Sequence, residues 1–207
     1  MKNQAVLPRS AWLLLGFVLL AACGSPDDQT SESSASADTA QAIHTDQPAA
    51  EAAGMDAMDH APAKDADHEF LRMMVDHHEG MIVMADTALD RLTGATAKAD
   101  ARKLHDVQRQ ERDRMIGMIK DWYSEAYMPM PMPSNTAMID SLQRTSRGSV
   151  YDRVFYRQVV NHHTEALRMV DAYLPRAKRA EVRQMAEKMR TDQAREIADF
   201  ERKGRGG

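Results

Sequence analysis

The sequence predicts an all-α protein, a four-helix bundle made of two duplicated helical hairpins. Three observations predict it. The C-terminal body repeats itself at an offset of 85 residues. Apolar side chains recur there at helical spacing, in stripes broad enough to bury a helix against several neighbours. No run alternates with the period of two that a half-buried strand requires.

The repeat emerges when residues 67–115 are laid over 152–200 without gaps. Fifteen of 49 positions are identical, among them Asp67/Asp152, Phe70/Phe155, His77-His78/His162-His163, Met84/Met169, Asp86/Asp171, Gln108/Gln193 and Glu111/Glu196. A gap-free match of that density indicates duplication, and duplication implies two similar supersecondary units.

In the first helix, Phe70, Met74, His77, Met81, Met84 and Ala88 form one stripe. Leu71, Val75, His78, Ile82, Ala85 and Leu89 form the next. Gly94 suits the turn that follows. The second helix carries Ala97, Ala101, Leu104, Gln108, Glu111, Met115, Met118 and Trp122, which completes a hairpin over 65–122. Residues 123–148 link the halves. Pro129, Pro131 and Pro133 prevent helix at the start of that linker, and Thr136 to Gln143 leave room for a short extra one. The third helix repeats the first with Phe155, Val159, His162, Ala166, Met169 and Tyr173, and with Tyr156, Val160, His163, Leu167, Val170 and Leu174. Pro175 ends it. Val182, Ala186, Met189, Gln193, Glu196 and Phe200 mark the fourth, so the second hairpin covers 149–203. Two hairpins with broad apolar faces bury them by packing on each other.

Ahead of this body, over residues 65–207, lies an address and a tether. Lys2 and Arg9 precede an apolar run from Ala11 to Leu20, too short to span a bilayer and suited to a signal segment. Leu20-Ala21-Ala22-Cys23-Gly24 resembles a bacterial lipobox. It predicts removal of residues 1–22 and lipidation of Cys23, which makes the membrane a partner and places the body in the bacterial cell envelope. The alternative is an ordinary signal peptide with an incidental cysteine. Residues 24–64 hold eight acids and one base, Lys64, and almost no large apolar side chains. Such a segment cannot bury enough surface to offset its ordering entropy, so it reads as a disordered acidic spacer.

Composition excludes several classes. One cysteine leaves no disulfide framework and no Cys-based zinc or iron–sulfur site. A formal charge of −4 argues against a nucleic-acid partner. The 16 Met point to helices packed by thioethers, or to a use for the sulfur. No nucleophile–base constellation, phosphate loop or His-Glu-x-x-His motif occurs, so an enzyme is not expected.

Polar residues occupy core addresses. His77 lies 17 residues before Gly94 and Glu111 lies 17 after; His162 and Glu196 have the same relation to Arg179. Antiparallel helices of equal rise then predict a mid-bundle polar layer of His77, Glu111, His162 and Glu196. His78 and His163 turn about 100° away on their helices. The functional reading is a metal site whose carboxylates and amides (Glu111, Glu196, Gln108, Gln193) orient the imidazoles from behind. Met74, Met81, Met84 and Met169 lie within a turn or two. Imidazole plus thioether favours soft copper(I), with silver(I) as the related ion. The structural reading is a satisfied His–Glu/Gln network that fixes helix register, with Met as filler. Met128, Met130 and Met132, held extended by alternating prolines, form a second, auxiliary string of thioethers for the same ions, or else a plain connector. Met55, Met58 and His60 are a weaker cluster in the spacer.

Asp67-x-x-Phe70, then Met74-x-x-His77-His78 with Met84-Ala85, then Gln108-x-x-Glu111-x-x-x-Met115, resembles the bacterial "domain of unknown function 305" family. The resemblance covers about residues 65–203 and implies a ferritin-like four-helix bundle in an exported protein. Some members are linked to copper, which implies His77, His78, Met84, His162, His163 and Met169 as ligands. Val159 and Ala166 stand where the first copy has Met74 and Met81, so the second half-site is poorer in sulfur. Two other functions stay open. One is a ferritin-like iron or manganese oxidase, although the Glu-x-x-His of carboxylate-bridged bundles is absent from the chain. The other is a metal-free bundle that docks an envelope protein.

Overall fold

The computed structural model describes residues 62–206. The signal segment, Cys23 and the spacer as far as residue 61, with Met55, Met58 and His60, lie outside the described residues. Among the described residues every regular element is helical: α1 (Ala66–Leu89), α2 (Ala95–Tyr123), α3 (Pro133–Arg144), α4 (Ser149–Tyr173) and α5 (Ala180–Arg205). A 3₁₀ turn, Leu174–Arg176, carries the chain past Pro175.

Each helix starts and stops for local reasons. Asp65 is the N-cap of α1, and its carboxylate accepts the backbone N–H of His68 at 2.8 Å. At that same end of the hairpin the Lys64 ammonium donates to the Tyr123 carbonyl at 2.6 Å, near the negative pole of α2. Pro133 does not delay α3, as the sequence predicts, but opens it. A proline in the first turn loses no intrahelical bond, and its fixed φ suits the start.

The elements assemble as two hairpins, α1–α2 and α4–α5, with α1 against α4 and α3 against both. Two apolar clusters fill the interior. One gathers Phe70, Met74, Met115, Ile119, Met169, Tyr173, Val182 and Met189. The other gathers Met81, Met84, Ala101, Leu104, Tyr151, Phe155, Val159 and Phe200. Burying each Val, Leu, Ile, Phe or Met side chain among them contributes about 1.5–3 kcal/mol. All four long helices pass from one cluster to the other, and each crosses at its polar residues: 77–78, 108–111, 162–163 and 193–196.

Two aspartates lock the hairpins together. Asp67 is fully buried and accepts the Lys178 and Arg179 N–H groups at 3.0 and 2.9 Å, and the Tyr173 hydroxyl at 2.7 Å. Asp152 accepts the Thr93 and Gly94 N–H groups at 2.9 and 2.7 Å. Each carboxylate thereby receives the start of the second helix of the opposite hairpin. Gly94 permits that approach, since a Cβ there would meet Asp152 Oδ2 at 2.9 Å. Gly80 has a similar role. A side chain at that position of α1 would run into Asn135 of α3. Among the described residues no helix is long and apolar enough to cross a membrane.

Candidate metal centre

The centre of the molecule is a layer of four fully buried imidazoles. His77 on α1 and His162 on α4 face each other, ring centroids 3.7 Å apart and planes inclined by 33°. Nε2 of His162 donates to the His77 carbonyl at 2.9 Å, while its Nδ1 has no hydrogen-bond partner. Neither nitrogen of His77 has one. Burial pushes both rings well below the usual histidine range, and the neighbouring imidazoles push the same way. Both are therefore neutral at physiological pH, the form in which an imidazole binds a metal.

The outer pair is built differently. Nε2 of His78 lies 3.0 Å from Glu111 Oε2, and Nε2 of His163 lies 2.9 Å from Glu196 Oε2. This corrects the predicted layer by one residue: each Glu meets the second imidazole of its pair, not the first. The hairpin register brings Glu111 level with both positions, and the 100° turn between them decides the rest. Helix α4 lies on the His77 side of α1, and α2 on the His78 side. Nδ1 of both outer rings is unpartnered. Gln108 and Gln193, both buried, keep side-chain atoms without partners. They line a cleft of about 200 Å³ between α2 and α5 together with Glu111, Glu196 and Met189.

The sulfurs flank this layer from two sides. Met74 and Met169 belong to one apolar cluster, and Met81 and Met84 to the other. All four are buried. The linker string does not stay together. Met128 and Met130 are 75% and 50% exposed, but Met132 is only 6% exposed and packs in the core. Asp76 pins the segment by accepting the Met130 N–H at 3.0 Å and the Tyr127 hydroxyl at 2.6 Å. The prolines thus hold Met128 and Met130 outward, while the start of α3 draws Met132 inward.

One residue of the layer escaped the sequence reading. Glu165 on α4 places Oε2 3.7 Å from His77 Nε2. The signal was there in His162-x-x-Glu165, an i, i+3 spacing that puts both on one face. Among the described residues no three His, Cys, Asp or Glu side chains converge as a ready-made ion cage. The buried groups gathered here are imidazoles and thioethers, with carboxylates standing singly beside them.

Fold and site together define an all-α protein with a buried imidazole layer bracketed by thioethers. The family described as domain of unknown function (DUF305) matches residues 18–119 and, again, 98–203, and the chain belongs to that family. Among solved structures, CopM in its Cu(I)-bound form is 26% identical, with a TM-score of 0.57 over 66% of this chain and 93% of that one. CopM in a co-crystallised Ag-bound form is also 26% identical, with a TM-score of 0.57 over 68% and 98% of the two chains. A putative secreted DUF305 protein from Streptomyces coelicolor, 23% identical with a TM-score of 0.59 over 66% and 88%, shares the fold. No curated protein matches. Copper and silver are thus bound by a protein similar to this chain.

Proposed function

We propose that this is an exported, lipid-anchored protein of the bacterial envelope that binds copper(I) or silver(I) through buried His and Met, for sequestration, resistance or trafficking. One observation carries the reading. Neutral imidazoles from both hairpins meet inside the fold, with ring nitrogens that no protein group satisfies. Leaving such atoms unpaired costs about 1–3 kcal/mol each, a cost that an ion would remove. His77, His162, His78, His163, Met74, Met81, Met84 and Met169 form the donor set, and Glu111 and Glu196 hold the outer rings. In this reading the protein is a binder and not an enzyme. The likeness to copper- and silver-bound CopM supports the choice of ion.

The same reading takes the body as a ferritin-like four-helix bundle of two duplicated hairpins, with α3 added in the linker. The matched tasks of Asp67 and Asp152, and of the His78–Glu111 and His163–Glu196 pairs, support it. Cys23 is the point of lipid attachment, and Cys23→Ser is expected to release the protein from membranes. The decisive experiment is competition for Cu(I) with a chromophoric chelator. Uptake by the wild type, reduced about 10–100-fold by His77→Ala or His162→Ala, is the expected result. No uptake would end the proposal.

A further inference from the structure

Glu165 lies one turn beyond His162 on α4 and reaches across to α1. Its Oε2 is buried and has no hydrogen-bond partner, and the atom it faces, Nε2 of His77, has none either. Their separation of 3.7 Å is too long for a hydrogen bond. It suits two donors sharing one ion, because bonds of about 2.1 Å, as nitrogen and oxygen make to zinc, opened to roughly 125° place the two atoms ~3.7 Å apart.

We propose that Glu165 and His77 are two donors of a single cation site between α1 and α4, where the carboxylate balances the charge of a monovalent soft ion, Cu(I) or Ag(I). This deepens the metal-binding reading above and rests on it. Glu111 and Glu196 are engaged by the outer rings; at the inner pair, neutral imidazoles and thioethers alone would leave one positive charge in the interior, where an unbalanced ion is costly. One carboxylate makes the loaded site neutral. A divalent ion would stay charged.

The repeat supplies no twin for this carboxylate. The position 85 residues earlier is Gly80, and Asn135 of α3 fills the space that a side chain would need. His162, the partner ring, already donates to the His77 carbonyl. The described residues therefore hold one such site and not two, in spite of their doubled histidines.

The test uses the full chain with Ag(I) as probe, and the melting of the metal-free protein as a second readout. Glu165→Gln is expected to weaken Ag(I) about 10–100-fold, with one ion lost per chain. The same variant is expected to melt higher without metal, because an amide group leaves the side chain's inner, unpartnered end less costly to hold inside than a carboxylate oxygen. Glu187→Gln, on an exposed part of α5, is expected to change neither. Unchanged Ag(I) affinity in Glu165→Gln would overturn this proposal alone. So would a lower melting temperature, which would mark Glu165 as a structural partner of His77. A wild type that takes neither Ag(I) nor Cu(I) would overturn both this proposal and the function above.

Discussion

Asp152 accepts the backbone N–H of Gly94 at 2.7 Å, tying the start of α4 to the turn that opens α2. Asp67 does the same for Arg179 at 2.9 Å. The two carboxylates take up the N–H groups at the entry of each second helix, where neither Gly94 nor Arg179 makes a side-chain capping bond. Asp67→Asn and Asp152→Asn are each expected to destabilise the protein, by about 1–3 kcal/mol in urea denaturation. Asp67 should cost more, because it is fully buried and also accepts the Tyr173 hydroxyl. Equal and negligible effects would show that the hairpins dock without them.

The buried imidazoles make stability depend on pH with a definite sign. Burial holds His77 and His162 well below the usual value of about 6.5. As pH falls through 6.5 the unfolded chain binds these protons and the native protein does not. Stability is therefore complete above about 6.5 and declines below it, by up to ~1.4 kcal/mol per pH unit for each ring. His68, depressed by burial and by Arg72, adds to the slope. Urea midpoints of the metal-free protein between pH 7.5 and 5 should show the decline, and His77→Gln/His162→Gln should flatten it.

Sulfur chemistry and packing separate at Met74. The side chain is fully buried within an apolar cluster. Met74→Leu conserves volume and should cost less than about 1.5 kcal/mol of stability. If the thioether is a ligand, the same change should weaken Ag(I) or Cu(I) several-fold. Full affinity in Met74→Leu would remove this residue from the donor set.

Gly80 and Asn135 form a fitted pair. Gly80→Ala should destabilise the protein by about 1–3 kcal/mol through overpacking. Adding Asn135→Ala should recover part of that loss, measured as a positive coupling in a double-mutant cycle. Additive losses would mean that α3 shifts freely on α1.

The four long helices were legible in the sequence because their stripes keep helical spacing for about five to seven turns. Levels along the hairpins were legible as well, because both helices rise equally per residue. Azimuth was not: Glu111 chose His78 over His77, and only the packing side of α2 settles that. Glu165 stayed hidden because it stands where the two copies differ, against Gly80, while identical positions drew the reading. Asp67 and Asp152 were visible as a matched pair, but their partners lie in the opposite hairpin, about 60 to 110 residues away along the chain. Met132 looked like its exposed neighbours because nothing local announces that the following helix turns it inward.

Each apolar cluster draws side chains from both hairpins, with the histidine layer between them. A chain cut between Arg144 and Ser149 would leave either piece with a long greasy seam and nothing to close it. A single hairpin alone would meet the same difficulty, and a second hairpin packed antiparallel against the first removes it. Holding both in one chain turns what would be a concentration-dependent assembly into one cooperative unit.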